Sequence, residues 1–542
     1  MTDYKTDVAI IGAGIAGITA AIELLNAGKN VLLLDRDKEK NFGGLAKESF
    51  GVFFVVDSPE QRRAGIKDSP ELAFNDWCNY GKLSASDGFA YQWAQFYVEH
   101  SRTRIYDWLK TKGLRFVPAL LLAERGLTGN GNSVPRHHLT WGTGFEVSRV
   151  LTDILRTHPN RDKLTLAFEH RVDDLESTNQ KITGCYGVNE VSGEEFMVSS
   201  DAVIIAAGGT NGNDDKIKKN WHSDWGKIPP DTVLNGSHQY AQGMMHDAVQ
   251  QSGGNLINMD RSWNYAAGIP HPTPHKPRHG LSLVPCPSAL WMDAEGRRIG
   301  PDPLVPGFDT RHLISRICQV AEQKNLPKYS WQVMNREIML KEFAISGSEY
   351  NGAIKEKRMF SMLKELISGD TTLIDSITKD SDAIVTASTV EELGRKMRKM
   401  SGSVAIDIAG MASDIAAYDA TIDRGAQYFN DIQLHRITQL RAYAPQRART
   451  AKFKKINTQK SAPLYAIRLN IISRKSLGGI QTNLASQVLR VDGSIIDGLY
   501  AAGESAGSGG GGVHGIRTLE STFLGGAILT GRAAADAIIS GQ

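Results

Sequence analysis

The run Val8-Ala9-Ile10-Ile11-Gly12-Ala13-Gly14-Ile15-Ala16-Gly17 constrains this chain more than any other stretch. Four apolar residues in a row suit a strand buried on both faces of a parallel sheet. The glycines follow at G-x-G-x-x-G spacing. The first permits a tight turn, the second admits backbone close to a pyrophosphate, and the third lets helix and strand pack closely. Residues from Ile15 to Ala27 read as a helix that stops at Gly28, and its N-terminus offers amide donors to phosphate. A second apolar strand, Val31-Leu32-Leu33-Leu34, leads into Asp35, eighteen residues past Gly17. A carboxylate there accepts hydrogen bonds from an adenosine ribose. The glycine motif alone is weak, but strand, helix and acid together predict a dinucleotide site.

The choice between a nicotinamide and a flavin dinucleotide rests on later segments. Asn41-Phe42-Gly43-Gly44-Leu45 opens a second glycine-rich loop soon after the acid. Near the C-terminus, Gly498-Leu499-Tyr500-Ala501-Ala502-Gly503-Glu504 reads as a closing strand and loop, followed by a glycine run and a last apolar helix. No second G-x-G-x-x-G follows a strand elsewhere, so a separate nicotinamide domain is not expected. Electrons would come from substrate, a small carrier or a partner protein.

These motifs resemble those of the FAD-dependent fumarate reductase and 3-ketosteroid dehydrogenase superfamily, and within it the subgroup described only as FAD-binding dehydrogenases. The resemblance runs through Gly12 to Gly17, Gly43-Gly44, Ala202-Val203-Ile204-Ile205-Ala206-Ala207-Gly208-Gly209, Leu477-Gly478-Gly479-Ile480 and Gly498 to Glu504. It implies an α/β fold with a discontinuous Rossmann-like FAD-binding domain and an inserted α+β capping domain. It also implies a cofactor-binding set of Gly12, Gly14, Ala16, Gly17, Asp35, Arg36, Gly43, Gly44, Ser49, Ala207, Gly208, Gly503, Glu504, Thr522 and Leu524. Members that tie FAD covalently do so through a histidine just after the second glycine loop. Residues 45–50 contain none, so the resemblance implies non-covalent FAD.

Size and composition set the frame. A chain of 542 residues exceeds one ordinary core. The expected division is 1–262 and 463–542 for the FAD-binding domain, with 263–462 as the substrate or capping domain. A net charge of +3 with scattered basic residues gives no reason to expect nucleic acid. Four well-separated cysteines, Cys78, Cys185, Cys286 and Cys318, show no haem or zinc spacing and suit a reducing compartment. No metal site, signal peptide or membrane span is expected, and the location read from this is cytoplasmic. The segment from Ala266 to Pro287 holds six prolines and three histidines, the mark of a long irregular loop that is functional or flexible.

Chemistry beside a flavin needs a group to hold the activating oxygen and an acid or base for the neighbouring carbon. Three clusters qualify. In the glycine loop, His514 and Arg517 resemble the H-G-x-x-R element of fumarate reductases, whose arginine grips a substrate carboxylate. Here six residues separate Arg517 from Leu524-Gly525-Gly526, where fumarate reductases have none. The alternative makes Arg517 a partner of Glu520 and His514 a packed loop residue. The last helix, from Thr522 to about Ile539, would aim its positive end at the flavin pyrimidine carbonyl. In the second cluster, Arg474 and Lys475 precede Leu477-Gly478-Gly479 where fumarate reductases carry two histidines; otherwise they are a surface basic pair. In the third, Arg136, His137 and His138 either line the site or bond nearby backbone. Adjacent histidines on a strand face opposite ways, which disfavours a metal. Tyr465 lies in Pro-Leu-Tyr-Ala, resembling the family's P-F-Y-A strand, and ranks above Tyr265 as a proton donor.

The expected catalytic set is therefore Arg517, Lys475, Tyr465 and His514. The expected reaction is hydride exchange at flavin N5 across a C–C bond adjacent to a carbonyl or carboxylate of a small-molecule substrate. A flavin oxidase or dehydrogenase working on C–OH or C–N bonds, and a redox flavoprotein without turnover, are the alternatives. The electron donor or acceptor stays open.

Overall fold

The computed structural model describes residues 2–124, 130–300, 302–305, 309–402 and 404–541. Two sheets organise it. In the first, the strands Ile495–Ala501, Glu195–Ile205, Thr2–Ile11, Val31–Leu34 and Leu164–Ala167 run parallel in that order. The runs Val8–Ile11 and Val31–Leu34 are buried throughout, as a strand covered on both faces requires. Ile15–Asn26 follows the first strand as a helix. It packs beside the last helix, Thr522–Ser540, where a Cβ on Gly531 would meet the Ala16 carbonyl oxygen at 2.4 Å. Thr522–Ser540 is long and apolar enough to cross a membrane, yet 67% of its apolar window is buried inside the fold.

The second sheet is mostly antiparallel. Its centre is Leu464–Ser476, which pairs with Tyr329–Asn335, Ser262–Pro270 and Ile384–Ala387, and in parallel with the short strand Leu234–Asn235. Helices including Thr310–Lys324, Val390–Ser401, Ile408–Asp423 and Ile432–Ala442 cover it, and their apolar faces form one core with the sheet. The mixed α/β architecture agrees with expectation. One boundary shifts: residues 463–476, read as a return to the nucleotide-binding part, are the central strand of the second sheet. The strand's end, Arg474-Lys475-Ser476, carries the chain back toward the first sheet, so it spans the junction of the two parts.

Candidate functional site

Two cavities meet at that junction. The first follows the carboxyl ends of the parallel strands, where open α/β sheets place their ligands. Gly12, Gly14, Ala16, Asp35, Arg36, Gly43, Gly44, Ser49, Ala207, Gly208, Gly503, Glu504 and Leu524 all line it. Of the expected cofactor set, Gly17 and Thr522 stand behind this wall. A Cβ on Gly17 would lie 2.0 Å from the Gly12 carbonyl oxygen, so it serves the helix–turn contact. Thr522 is buried and donates to the Leu519 carbonyl at 2.8 Å, bracing the start of the last helix.

The donor set suits a flavin dinucleotide. Apart from Gly14 and its chain neighbours, no atom of the described residues lies within 4 Å of where a Cβ on Gly14 would stand, so backbone there faces open space. The buried Ser237 Oγ and His246 Nε2 line the same cavity without a partner among the described residues. Asp35 takes the backbone N–H groups of Ala13 and Asp37, at 2.6 and 2.7 Å, one on each oxygen. Further lone pairs remain for a ribose, although burial raises its pKa above the usual carboxylate range. Arg36 forks onto Glu190 with two 2.8 Å bonds and lies 4.6 Å over the Tyr240 ring. Glu504 accepts from Ser476 N at 2.9 Å, and burial raises its carboxyl pKa too. The last helix starts at Thr522 beneath Ser521, which has φ +81° and makes no side-chain cap. Its first N–H groups stay available to an electronegative ring edge.

The second cavity opens from the first and is walled by Leu121, Leu122, Ala266, Leu283, Pro285 and Leu313. One set of its polar groups lies where the two cavities meet. Lys475 lines both. Its ammonium lies 4.4 Å over the Phe523 ring and has no hydrogen bond or ion pair among the described residues. Burial lowers its pKa, while the carboxylates of Glu504 and Glu520 oppose that shift. Tyr265 donates to Glu520 Oε2 at 2.7 Å. Burial and then the Glu520 charge hold its phenol well above the ordinary value. Arg474 lies 5.7 Å over the Tyr265 ring. Glu124 accepts from Tyr80, and burial raises its carboxyl well above the ordinary range.

Several expected residues fall elsewhere. Tyr465 is buried in the second sheet and accepts from Arg336 Nη1 at 3.0 Å, outside both cavity linings. Tyr265, ranked below it from sequence, lines the second cavity instead. Arg517 is paired with Asp309 at 2.8 Å, not with Glu520, and lines neither cavity. His514 is fully buried, stacked on Trp77 at 5.6 Å with Nδ1 against Thr518. Burial and the Lys475 charge push its imidazole down to about 3. In the third cluster, Arg136 is locked between Asp68 and Asp76, and His138 lies between the Arg136 carbonyl and Ser58. Only His137, facing the other way, lines the second cavity, bonded to Ser521. Glu124, Trp263 and Phe523 are lining residues that sequence reasoning passed over, and Glu520, read there only as a partner for Arg517, is another. Glu520, Ser521 and Phe523 lie in the six-residue stretch that sets this loop apart from fumarate reductases, and that departure was the available signal.

The histidines of the proline-rich loop, His271, His275 and His279, bring one ring nitrogen each within 4.8 Å of one another. Both nitrogens of His271 are engaged, with Glu349 at 3.2 Å and Thr273 N at 3.0 Å, and its ring stacks on His279 at 4.1 Å. Lys276 is buried in the same loop and reaches Glu48 and the Ser237 carbonyl. The group is an aromatic stack with an ammonium among its neighbours, and His279 Nδ1 is buried in it without a partner among the described residues.

Comparison with known proteins agrees with this geometry. A family profile described as FAD binding domain matches residues 7–524. The chain is 39% identical over 547 residues to a KsdD-like steroid dehydrogenase of Mycobacterium tuberculosis, covering 97% of this chain and 94% of that protein. Its fold is similar to a 3-ketosteroid Δ1-dehydrogenase from Sterolibacterium denitrificans, with TM-score 0.69, 16% identity, and 99% and 100% of the two chains covered. It is also similar to the open conformation of a flavocytochrome c3 fumarate reductase, with TM-score 0.68, 19% identity, and 99% and 78% covered. The chain belongs to this FAD-binding family and is an FAD-dependent oxidoreductase.

Proposed function

We propose that the substrate is a flat, largely apolar ring ketone of the steroid class, and that hydrogen is exchanged across the C–C bond next to its carbonyl. The observation that carries this reading is the second cavity: apolar walls ending in a small polar cluster at the junction with the cofactor groove. Relatives named as steroid dehydrogenases support the same class. FAD, when bound, supplies the hydride-transfer chemistry. The chain's own residues do the rest.

Lys475 holds the carbonyl oxygen, because a desolvated ammonium stabilises developing negative charge there. Tyr265 handles the proton of the adjacent carbon. In the dehydrogenating direction that proton passes to Tyr265 Oη while the phenol's own proton passes to Glu520 Oε2; in the reducing direction both steps reverse. A raised phenol pKa suits this relay, since the tyrosine stays neutral before and after each transfer. The apolar walls exclude water and orient the ring. A carboxylate clamp at Arg517 has less support, because Asp309 already occupies that guanidinium. The four free thiols, three of them buried, support a cytoplasmic location.

The test follows flavin absorbance without oxygen. A saturated ring ketosteroid should bleach the oxidised enzyme, or a cyclic enone should reoxidise the photoreduced enzyme, within seconds. Reoxidation by small unsaturated dicarboxylates alone would overturn the ring-ketone reading and return weight to Arg517.

A further inference from the structure

The second cavity holds a charge that the reaction does not use. Arg449 ends the short helix Ala444–Arg449 and lines this cavity but not the cofactor groove. Two bonds hold the helix against the opposite wall: Tyr443 Oη to the Leu120 carbonyl at 2.9 Å and Gln446 Nε2 to the Leu122 carbonyl at 2.7 Å. The polar side chains near Arg449 are engaged. Thr450 donates to the Gln446 carbonyl at 2.9 Å. Glu342 takes Ser288 Oγ and N at 2.6 and 2.8 Å and Ala451 N at 2.7 Å. Arg449 itself has no side-chain hydrogen bond, ion pair or ring contact among the described residues. Burial lowers its pKa, and the ionisable group that bears on it is the buried Cys286 thiol, not a carboxylate.

A guanidinium carries five donors in a planar fork and stays charged in a protein. Arg449 is half-buried on the cavity wall, where an unpaired guanidinium is best stabilised by an anionic partner. The fork matches a carboxylate in two parallel bonds. We infer that Arg449 binds a carboxylate carried by the substrate away from its reacting carbonyl, so that the substrate class is an apolar ring ketone with an acidic side chain. The inference rests on the reading of the second cavity as the substrate site. Lys475, Tyr265 and Glu520 take the ketone where the cavities meet, and Arg449 reads the other polar feature from the wall of the second cavity alone.

The test compares two probes on the FAD-loaded enzyme: a ketosteroid whose side chain ends in a carboxylate, and its methyl ester. Binding is measured by titration calorimetry and reaction by flavin absorbance. The wild type should bind the acid about tenfold or more tighter than the ester, the size expected of a charge-assisted pair. Arg449→Gln should bring that ratio close to one, and Arg449→Lys should keep part of it. Equal affinities in the wild type, or a ratio that survives in Arg449→Gln, would overturn the inference. Melting curves of both variants identify any failure to fold, and Arg449→Lys then carries the comparison. An ester that binds without changing the flavin would overturn the ring-ketone reaction instead, and the calorimetric ratio would still decide the role of Arg449.

Discussion

Tyr265 donates a 2.7 Å hydrogen bond to Glu520 across 255 positions of sequence, joining the second sheet to the loop before the last helix. In the proposed relay the bond gives Tyr265 a proton acceptor. Tyr265→Phe should therefore lower turnover by roughly 10²–10⁴-fold, the usual contribution of a positioned acid or base, with a smaller change in substrate binding. Glu520→Gln removes the charge that helps raise the phenol pKa. The alkaline limb assigned to the tyrosine should move to lower pH, because the phenolate is no longer opposed by a neighbouring negative charge. A pH profile of kcat/KM for both variants checks this, and an unshifted limb in Glu520→Gln would remove Glu520 from the relay.

The glycines of the nucleotide turn predict two different failures. A Cβ on Gly17 would stand 2.0 Å from the Gly12 carbonyl oxygen, far inside contact distance. Gly17→Ala should lower the melting temperature of the protein itself, by the equivalent of about 1–3 kcal/mol or more. Gly14 has φ −79° and open space at the Cβ position. Gly14→Ala should fold with wild-type stability when FAD is absent and yet bind FAD more weakly, because the methyl group occupies the cofactor's side of the turn. Melting curves with and without added FAD separate the two outcomes.

This contrast explains what was legible from sequence. The turn at Gly12, Gly14 and Gly17, the acid Asp35 and the loop at Gly43-Gly44 are local chemistry, and the structure gathers all of them but Gly17, which stands just behind the wall, along one groove. The site residues depend on distant partners, which no local spacing encodes. Arg517 read as a substrate clamp because its partner Asp309 lies 208 positions away, at the start of the helix Thr310–Lys324. Tyr465 read as a proton donor from its neighbours in sequence, but the pleat of the second sheet turns it toward Arg336. Tyr265 and Glu520 carry no common motif and meet only once the sheet is built.

Arg517 and Asp309 should couple as a clasp between the glycine loop and the second part of the fold. Their side chains are 20% and 14% exposed, so the pair is partly shielded from water. Arg517→Ala and Asp309→Ala should each destabilise the protein, and the double variant should be less destabilised than the sum by about 1–3 kcal/mol. Denaturant unfolding of the four proteins in the cycle measures this. Strict additivity would free Arg517 for a role at the substrate.

Two histidines whose charged forms the fold disfavours should make stability fall in acid. Burial holds His514 and His137 down at about 3, against an unfolded value of 6.5. Above pH 6.5 both are neutral in the folded and unfolded chains and give no pH dependence. Below it the unfolded chain binds protons that the folded chain refuses, so stability falls as pH drops from about 6.5 toward 3. The slope is about 1.4 kcal/mol per pH unit for each such histidine. His514→Gln should remove one share of that slope. Melting temperatures between pH 7 and pH 4 check it, and an unchanged slope would mean that His514 protonates readily in the fold.

Lys475 predicts the alkaline behaviour of the reaction. In its proposed role it holds the carbonyl oxygen as a cation, so rate should fall as pH rises through its pKa, and burial places that pKa below the ordinary 10.5. The limb should therefore appear at lower pH than a solvated lysine would give. Lys475→Arg keeps the charge on a group that does not titrate in this range, so its profile should lose this limb even if the bulkier head lowers the rate overall. Lys475→Met should lower kcat/KM at every pH by about 10²-fold or more, since one desolvated donor on a developing oxyanion contributes about that much. If Lys475→Arg retained the wild-type limb, the titrating group would be Tyr265, and Lys475 would be left with binding alone.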